Sequence, residues 1–272
     1  MKNYRFLITL LLMVSAAAVH GQSKETRNVD SFTKIAFRHA GKLYLKQGSP
    51  QKVELEGSKE VLREIETDVE GSKLVIGKEG KWFDWSWDDD DRITVYITVP
   101  NIEAVSVSGS GDVIGQTRIT GSDFEFNVSG SGSLALEVDA TGDIEADVSG
   151  SGDMDLKGKC NDFESDVSGS GKVVIAMTIT NTADFSVSGS GRIQAAGTSD
   201  EVKTSISGSG KVLAADLQTN RCQVRISGSG DVEINVKNEL DATISGSGSV
   251  SYKGNPNKVN SNASGSGKVR KI

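Results

Sequence analysis

Carboxylates beside a repeated glycine-rich motif are the residues of this sequence whose types and spacing could support chemistry. The motif is Ser-Gly-Ser-Gly, and Asp112 and Asp153 each directly follow one copy of it. Two carboxylates on one surface could act as the general acid and base of a glycosidase. If the copies stack at about 4.8 Å per repeat, this pair lies about 10 Å apart, slightly beyond the usual spacing of an inverting enzyme.

The residues that follow the nine motifs form a column that is typical of a solvated face. In order, the column contains Asp112, Ser133, Asp153, Lys172, Arg192, Lys211, Asp231, Ser249 and Lys268. Stacking places Asp153 beside Lys172 and Lys211 beside Asp231, and such exposed pairs are common and weak. The motif is also similar to calcium-binding nonapeptide repeats, but only three of nine copies carry Asp. We therefore expect no metal site and no cofactor.

Histidine and cysteine offer little further chemistry. Outside residues 1–21 the sequence has one histidine, His39, which excludes His-based triads and multi-His metal sites. We expect His39 to lie on the surface. The two cysteines, Cys160 and Cys222, lie three repeats apart, about 14 Å at the same stacking distance, which is beyond disulfide reach. We predict two unpaired thiols.

The segment KWFDWSWDDDD, residues 81–91, contains all three tryptophans followed by four aspartates. Aromatic rings stack on sugar faces and carboxylates accept hydrogen bonds from hydroxyl groups, so this segment is the candidate ligand-binding site. The candidate residues are Trp82, Trp85, Trp87, Asp88 and Asp89. The alternative is that Phe83, Trp85 and Trp87, spaced two apart, plug the N-terminal core, while the aspartates prevent aggregation.

The elements that position these residues follow from the spacing of the motif. Copies begin at Ser108, Ser129, Ser149, Ser168, Ser188, Ser207, Ser227, Ser245 and Ser264, at intervals of 18 to 21 residues. Such a period predicts a solenoid. Before the motif, Phe124, Phe126 and Val128 alternate with polar residues, and a second alternating run follows it. Each repeat therefore contains two half-buried strands.

The glycines of the motif are predicted to form a corner. A straight run of about 15 strand residues would span roughly 50 Å, and the few remaining residues could not return the chain to its start. Glycine permits the backbone angles of a bend. A second bend is expected in polar segments such as 139–143 and 198–201. The sequence thus predicts an all-β fold, a single-stranded parallel β-helix of about 20 residues per coil, and right-handed because parallel crossovers overwhelmingly are.

The chain divides into three regions. Residues 1–21 have the basic start, apolar run and small residues of a secretory signal peptide. Residues 22–106 retain alternating strands without the motif, and we predict irregular coils with a cap, including one short helix in 58–66 with Ser58 as its N-cap. Residues 107–272 are predicted to form the regular β-helix with nine VSGSG-type coils. Terminal repeats of solenoids are expected to be atypical.

The charge and hydropathy exclude several partners. The formal net charge is −7, and removal of Lys2 and Arg5 with the signal peptide makes it more negative. An acidic chain disfavours nucleic acid and anionic lipid as partners. The apolar run in residues 6–14 is too short to span a bilayer, so we expect an exported protein that is not inserted in a membrane.

The sequence resembles a known family. An N-terminal region of the form NVDSFTKIAF…GKLYLKQGSPQKVELEG, the segment VYITVPNIEAVSVSGSGDV and the repeated VSGSG coils resemble the auto-transporter adhesin, head GIN domain family, which is common in exported proteins of the Bacteroidetes. The resemblance covers almost the whole mature chain. It implies a β-helical cell-envelope or secreted adhesin, and it provides no catalytic residues to transfer to this chain.

The regular spacing favours a non-enzymatic interaction protein that contacts glycan or a surface protein. Polysaccharide-acting β-helix enzymes build their clefts from long loops between coils, whereas the intervals here vary only from 18 to 21 residues. The alternatives are a carbohydrate-active enzyme, as a polysaccharide lyase or hydrolase, and a purely structural solenoid. The sequence leaves the choice between the periplasm, the outer surface and secretion open.

Overall fold

The computed structural model describes residues 23–78 and 92–272, and in them it contains 23 strands and one short helix, α1 (Lys59–Glu64). The strands are β1 (Ser23–Arg27), β2 (Lys34–Arg38), β3 (Gly41–Gln47), β4 (Lys52–Gly57), β5 (Ile65–Glu70), β6 (Lys73–Lys78), β7 (Ile93–Val99), β8 (Ala104–Gly109), β9 (Asp112–Gly115), β10 (Ile119–Gly121), β11 (Phe124–Gly130), β12 (Ser133–Ala140), β13 (Ile144–Gly150), β14 (Asp153–Cys160), β15 (Phe163–Gly169), β16 (Lys172–Ile179), β17 (Thr182–Gly189), β18 (Arg192–Gly208), β19 (Lys211–Gly228), β20 (Asp231–Gly246), β21 (Ser249–Lys253), β22 (Lys258–Gly265) and β23 (Lys268–Lys271).

Two sheet faces meet at the glycine corners. Face 1 contains β8, β11, β13, β15, β17, the later parts of β18, β19 and β20, and β22, all stacked in parallel. Face 2 contains β9, β12, β14, β16, the earlier parts of β18 to β20, β21 and β23, also in parallel. The fold is a solenoid of about 8 turns with a spacing near 20 residues. The predicted all-β solenoid fold is confirmed.

The core is made of columns in which one residue stacks on its counterpart in the next coil. Val128 lies beside Val148, which lies beside Val167, and all three side chains are buried. Large rings fill the wider parts of the interior, where Phe163 and Phe185 meet edge to face with ring centroids 6.2 Å apart. Burying each Val or Ile contributes roughly 1.5 to 3 kcal/mol, so repetition supplies the stability.

The two glycines of each motif have different roles at the corner. The first has positive φ in every copy, from +98° at Gly109 to +128° at Gly228, a region that favours glycine. The second is buried in eight of the nine copies, and a Cβ added at Gly171 would lie 2.5 Å from Cγ1 of Val148 in the preceding coil. Backbone hydrogen bonds join successive corners, as where the N–H of Ser131 donates to the Gly109 carbonyl oxygen at 2.8 Å.

The second bend is a loop in some coils and part of a strand in others. Strand pairing is interrupted at residues 141–142, but β18 runs unbroken from Arg192 to Gly208 and pairs with β19 along both faces. The chain therefore turns inside the ladder, near Gly197, whose φ is +120°. The Ser199 hydroxyl supports the turn by donating a hydrogen bond to the carbonyl oxygen of Glu201 at 2.7 Å.

The N-terminal region continues the stack beyond the first motif-bearing coil. Phe37 of β2 lies beside Val107, and Lys42 of β3 lies beside Asp112. Residues 38–41, Arg-His-Ala-Gly, therefore occupy the register of a Ser-Gly-Ser-Gly corner. β6 and β7 stack next on β2 and β3, while β4 and β5 run antiparallel and complete the cap.

The predicted helix is confirmed as α1. The Val61 N–H donates to the Ser58 side-chain oxygen at 3.2 Å, so Ser58 is the N-cap. Leu62 is completely buried and anchors the helix to the core. The helix ends at Glu64, and the next residue, Ile65, already has an extended backbone.

The expectation that His39 lies on the surface is wrong, because only 1% of its surface is exposed. It follows Ile35 and Phe37 at period two, so the inward alternation of β2 continues through it. Its Nδ1 lies 2.7 Å from the carbonyl oxygen of Ala40. The expectation was based on the rarity of functional histidines. The period-two alternation of β2 instead predicts that the His39 ring points inward.

Candidate functional site

Face 1 carries a run of carboxylates that we call the acidic stripe. It consists of Asp123, Glu125, Asp143, Glu145, Asp147, Asp162, Glu164, Asp166 and Asp184. The strand register places Glu125 beside Glu145, Glu145 beside Glu164, and Glu164 beside Asp184. Like charges therefore follow one another along four consecutive coils, on strands that point these side chains away from the core.

The acidic stripe borders a shallow depression of about 790 Å³. Lys34 lies at one end of this depression and Lys203 at the other, while Phe124, Ile144 and Phe163 contribute to its lining. Lys203 lies beside Asp184, so the charge changes sign at the end of the stripe. The depression can offer carboxylate acceptors to hydroxyl or amino groups, with some apolar surface beneath them.

Three aspartates at the start of the strands have a structural role. The Asp123 carboxylate accepts a hydrogen bond from the backbone N–H of Asp143 at 3.0 Å, and Asp143 accepts one from Asp162 at 3.3 Å. Asp162 in turn accepts from the backbone N–H of Thr182 at 3.0 Å. These carboxylates hold successive coils together, so the residues of the stripe left for a ligand are mainly the glutamates and Asp184.

Burial and the neighbouring carboxylates raise the pKa values of two residues of the acidic stripe, Asp147 and Glu164. Partial burial raises the pKa of Asp147 to about 6, a hydrogen bond from the backbone N–H of Asp166 opposes the rise, and the charges of Glu145, Asp166 and Glu164 add to it. The pKa of Glu164 is also raised, first by burial and then by the neighbouring charges of Asp166, Asp184 and Glu145. Face 1 therefore loses negative charge on mild acidification.

We expect Asp147→Asn to stabilise the protein by about 1 kcal/mol at neutral pH. A raised pKa means that the folded chain holds this proton more tightly than the unfolded chain, so the group favours folding as pH falls through about 6 towards 4 and disfavours it above. The magnitude allows for partial solvent screening. Urea unfolding between pH 4 and 7 should show a flatter pH dependence in the variant.

Asp155→Asn is the matched control, because Asp155 lies on face 2 with the Lys157 ammonium 3.8 Å away. It should leave the pH dependence of unfolding close to that of the wild type. If Asp147→Asn and Asp155→Asn gave the same pH profile, Asp147 would not have the raised pKa that its burial and the neighbouring charges imply.

The site predicted from the sequence lies outside the described residues. Trp82, Trp85, Trp87, Asp88 and Asp89 all belong to residues 79–91, between β6 and β7. Of the strands that flank it, β6 places Ile76 beside Phe37, and β7 places Ile93 beside Gly41.

The aspartates that follow the motif do not form a catalytic pair. Ser133 lies between Asp112 and Asp153 in the ladder, and the Ser133 hydroxyl hydrogen-bonds to Oδ1 of Asp112 at 2.6 Å. Further along the same column Lys211 pairs with Asp231 at 2.9 Å, as expected. The column is the solvated face that the sequence favoured, and Asp153 lies beside Lys172 in it.

The two cysteines are free, as predicted, and both are buried. Burial raises the pKa of the Cys160 thiol to about 12, and it raises that of Cys222 further. Burial therefore disfavours the thiolate forms that act as nucleophiles and metal ligands. Within residues 23–78 and 92–272, no three His, Cys, Asp or Glu residues are placed to hold a metal ion.

The sequence contains a pattern that indicates the acidic stripe. The fourth residue before each motif reads Glu125, Glu145, Glu164 and Asp184 in four successive copies. Aligning the strands on the motif would have shown this column directly. The depression beside it could not be foreseen, because its depth depends on how the second bends pack.

The comparisons with known proteins agree with this architecture. The family model described as "Putative auto-transporter adhesin, head GIN domain" matches residues 31–196 and 174–256, which is most of the chain. The chain belongs to this head GIN domain family. The resemblance seen in the sequence is therefore confirmed. No curated protein matches this head GIN chain in sequence.

Solved structures share the head GIN fold over nearly their full length. A structure from Parabacteroides distasonis, named a putative adhesin, is 20% identical with a TM-score of 0.72, covering 93% of this chain and 98% of that one. A putative adhesin from Parabacteroides merdae is 23% identical with a TM-score of 0.69, covering 92% and 96%. A second P. distasonis protein, named a putative lipid binding protein, is 23% identical with a TM-score of 0.70 and the same coverages.

Membership of the head GIN family indicates an exported or surface protein of the adhesin type. In the described part of the chain, no helix is long and apolar enough to cross a membrane. The regular coils offer extended flat faces and the shallow depression beside the acidic stripe, an arrangement suited to surface contact.

Proposed function

We propose that this chain is a non-enzymatic exported adhesin that binds a glycan or a protein at the cell envelope or outside the cell. The observation that carries the proposal is the match to the head GIN domain family over residues 31–256. The geometry supports it, because the flat faces display many polar side chains that are not converged on one reacting atom.

The aromatic segment is the proposed main contact for the ligand. Affinity is usually concentrated in aromatic anchors, and no described surface of the repeats offers large exposed rings. Trp82, Trp85 and Trp87 would stack on sugar rings or apolar side chains, while Asp88 and Asp89 would accept hydrogen bonds. The depression beside the acidic stripe is the competing location, with Glu145 and Glu164 at its centre.

We expect the Trp85→Ala/Trp87→Ala double variant to bind at least about tenfold more weakly, with an unchanged melting temperature. The ligand would first be identified by a glycan array and by binding to extracellular matrix proteins, using the chain from residue 22. The matched control is Glu145→Gln/Glu164→Gln, which removes charge from the depression and leaves the tryptophans intact. Binding is then measured by calorimetry on both double variants.

The outcomes separate the interpretations. A loss of roughly 3 kcal/mol or more in stability for the tryptophan variant would indicate that these rings plug the core. Loss of binding in the glutamine variant alone would move the site to the depression. Release of new reducing ends or unsaturated sugars from a bound polysaccharide would contradict the proposal and favour an enzyme.

A further inference from the structure

The start of face 2 carries three cations in successive coils, which we call the cationic ridge. Lys172 lies beside Arg192, and Arg192 lies beside Lys211, in the column that follows the motif. Neighbouring strands lie about 4.8 Å apart, so the three charges follow one another along the solenoid axis, one to a coil. Asp153 precedes the ridge and Asp231 follows it. The ridge therefore spans three coils.

The ridge carries positive charge that the fold does not neutralise. Like charges side by side on neighbouring strands are destabilising, and Arg192 has a lysine on each side. Lys172 and Arg192 form no ion pair with any residue that the structure describes. Lys211 pairs with Asp231 at 2.9 Å, but the Ser249 hydroxyl also donates to that carboxylate, at 2.6 Å. Asp231 thus keeps a partner if Lys211 turns to a ligand.

The side chains on either side of the ridge are uncharged. Towards the corner lie the second serines of three motifs, all exposed, Ser170, Ser190 and Ser209. Away from the corner lies a half-buried column of Val174, Gln194 and Leu213. Hydroxyl and amide groups both donate and accept hydrogen bonds, and the two apolar side chains suit the C–H faces of sugar rings. The surroundings of the ridge therefore match a polyhydroxylated ligand.

The charges of the molecule are segregated between its two faces. The formal net charge of the chain is −7, but the acidic stripe lies on face 1, before the corner, and its carboxylates point away from that face. The ridge lies after the corner, on face 2. An anionic ligand can therefore approach the ridge without crossing the acidic stripe, although the chain as a whole is acidic.

We propose that the cationic ridge binds a linear acidic polysaccharide that has an acidic group on each sugar and lies along the solenoid axis. One sugar of an extended 1,4-linked chain advances by roughly one coil spacing, and the long Lys and Arg side chains can reach acidic groups on either edge of it. The assignment rests on the glycan binding proposed above, and it adds the ligand class and a contact surface on the regular coils.

Binding at the ridge requires all three cations to act together. Each exposed charge contact is weak and is screened by salt. A polymer that engages the ridges of several molecules on one cell surface would gain affinity through multivalency. The aspartates at the two ends limit each contact to about three acidic groups, which is the number of cations in the ridge.

The test uses a fluorescent oligogalacturonate long enough to span the ridge, with binding to the chain from residue 22 followed by anisotropy. We expect binding that weakens as salt is added. The fully methyl-esterified oligomer has the same sugar backbone without the charges, and it should bind at least about tenfold more weakly. The variant Lys172→Gln/Arg192→Gln/Lys211→Gln should lose binding of the charged oligomer by at least about the same factor.

The matched control is Arg225→Gln/Lys237→Gln/Lys253→Gln, which removes the same kinds and number of cations from exposed positions outside the ridge. It should bind the charged oligomer like the wild type, and both triple variants should melt at similar temperatures. Equal weakening by the two triple variants would overturn the proposal, because it indicates attraction by net charge alone.

Two further outcomes would also contradict the ridge assignment. If an oligothymidylate of similar length bound as tightly and lost binding in the ridge variant, the ridge would be a general polyanion or nucleic-acid contact. If the chain bound other glycans of the array but not oligogalacturonate, the ridge assignment would be wrong while the proposed function stood. Absence of all glycan and protein binding would contradict both.

Discussion

Gly130→Val is expected to destabilise the protein by about 3 kcal/mol or more, because two independent effects act at this corner. Gly130 has a φ of +117°, which a β-branched residue does not readily adopt. An added Cβ would also lie 2.6 Å from the carbonyl oxygen of Gly109, a backbone atom that cannot rotate away. Chemical denaturation and thermal melting followed by circular dichroism would measure the loss.

Ser131→Val is the matched control for the corner. Ser131 is the next residue, is exposed and has no positive φ, so the same side chain should change stability by at most about 0.5 kcal/mol. Equal stability of the two valine variants would contradict both reasons given for glycine at position 130, the backbone strain and the close approach of successive corners.

Phe163→Ala is the second substitution with a large expected effect, about 3 to 5 kcal/mol. Phe163 is only 1% exposed and contacts Phe185 of the next coil edge to face. Removing the ring leaves a cavity between two stacked coils, and the hydrogen-bonded ladders on both faces prevent the walls from collapsing. Urea denaturation should show the loss as a lower midpoint.

Phe163→Leu provides the comparison, because it keeps most of the apolar volume and should cost less than about 1.5 kcal/mol. A cost for the alanine variant no larger than that for leucine would show that the interior can relax around the missing ring. It would also imply that the aromatic residues of the core columns are interchangeable with any apolar side chain.

Much of the fold could be predicted because each structural element has a sequence pattern that recurs from coil to coil. Val128, Val148 and Val167 share one place in the register, and each is buried. The corners could be predicted from chain length alone, since a coil must close within about 20 residues. The bend inside β18 was also predicted, at residues 198–201, but the continuous strand pairing through it was not, because that pairing depends on Gly197 and on hydrogen bonds with neighbouring coils.

The surface was harder to predict than the interior. The burial of His39 was predicted wrongly because the expectation considered only the residue type and not the alternation of the strand that leads into it. The acidic stripe was overlooked because carboxylates on exposed strands are individually ordinary, and only their register makes them neighbours. The assignment of Trp82, Trp85 and Trp87 to a ligand site stays a prediction.

The register of the coils also has a consequence for how the chain reaches this fold. Most contacts in the motif-bearing coils join residues about 20 positions apart, which is a short separation for an all-β protein, and short separations favour fast folding. The first coil is different, since Thr33 meets Glu103 across 70 residues. We infer that closing this loop is the slow step, and that later coils then add one at a time on the edge already formed.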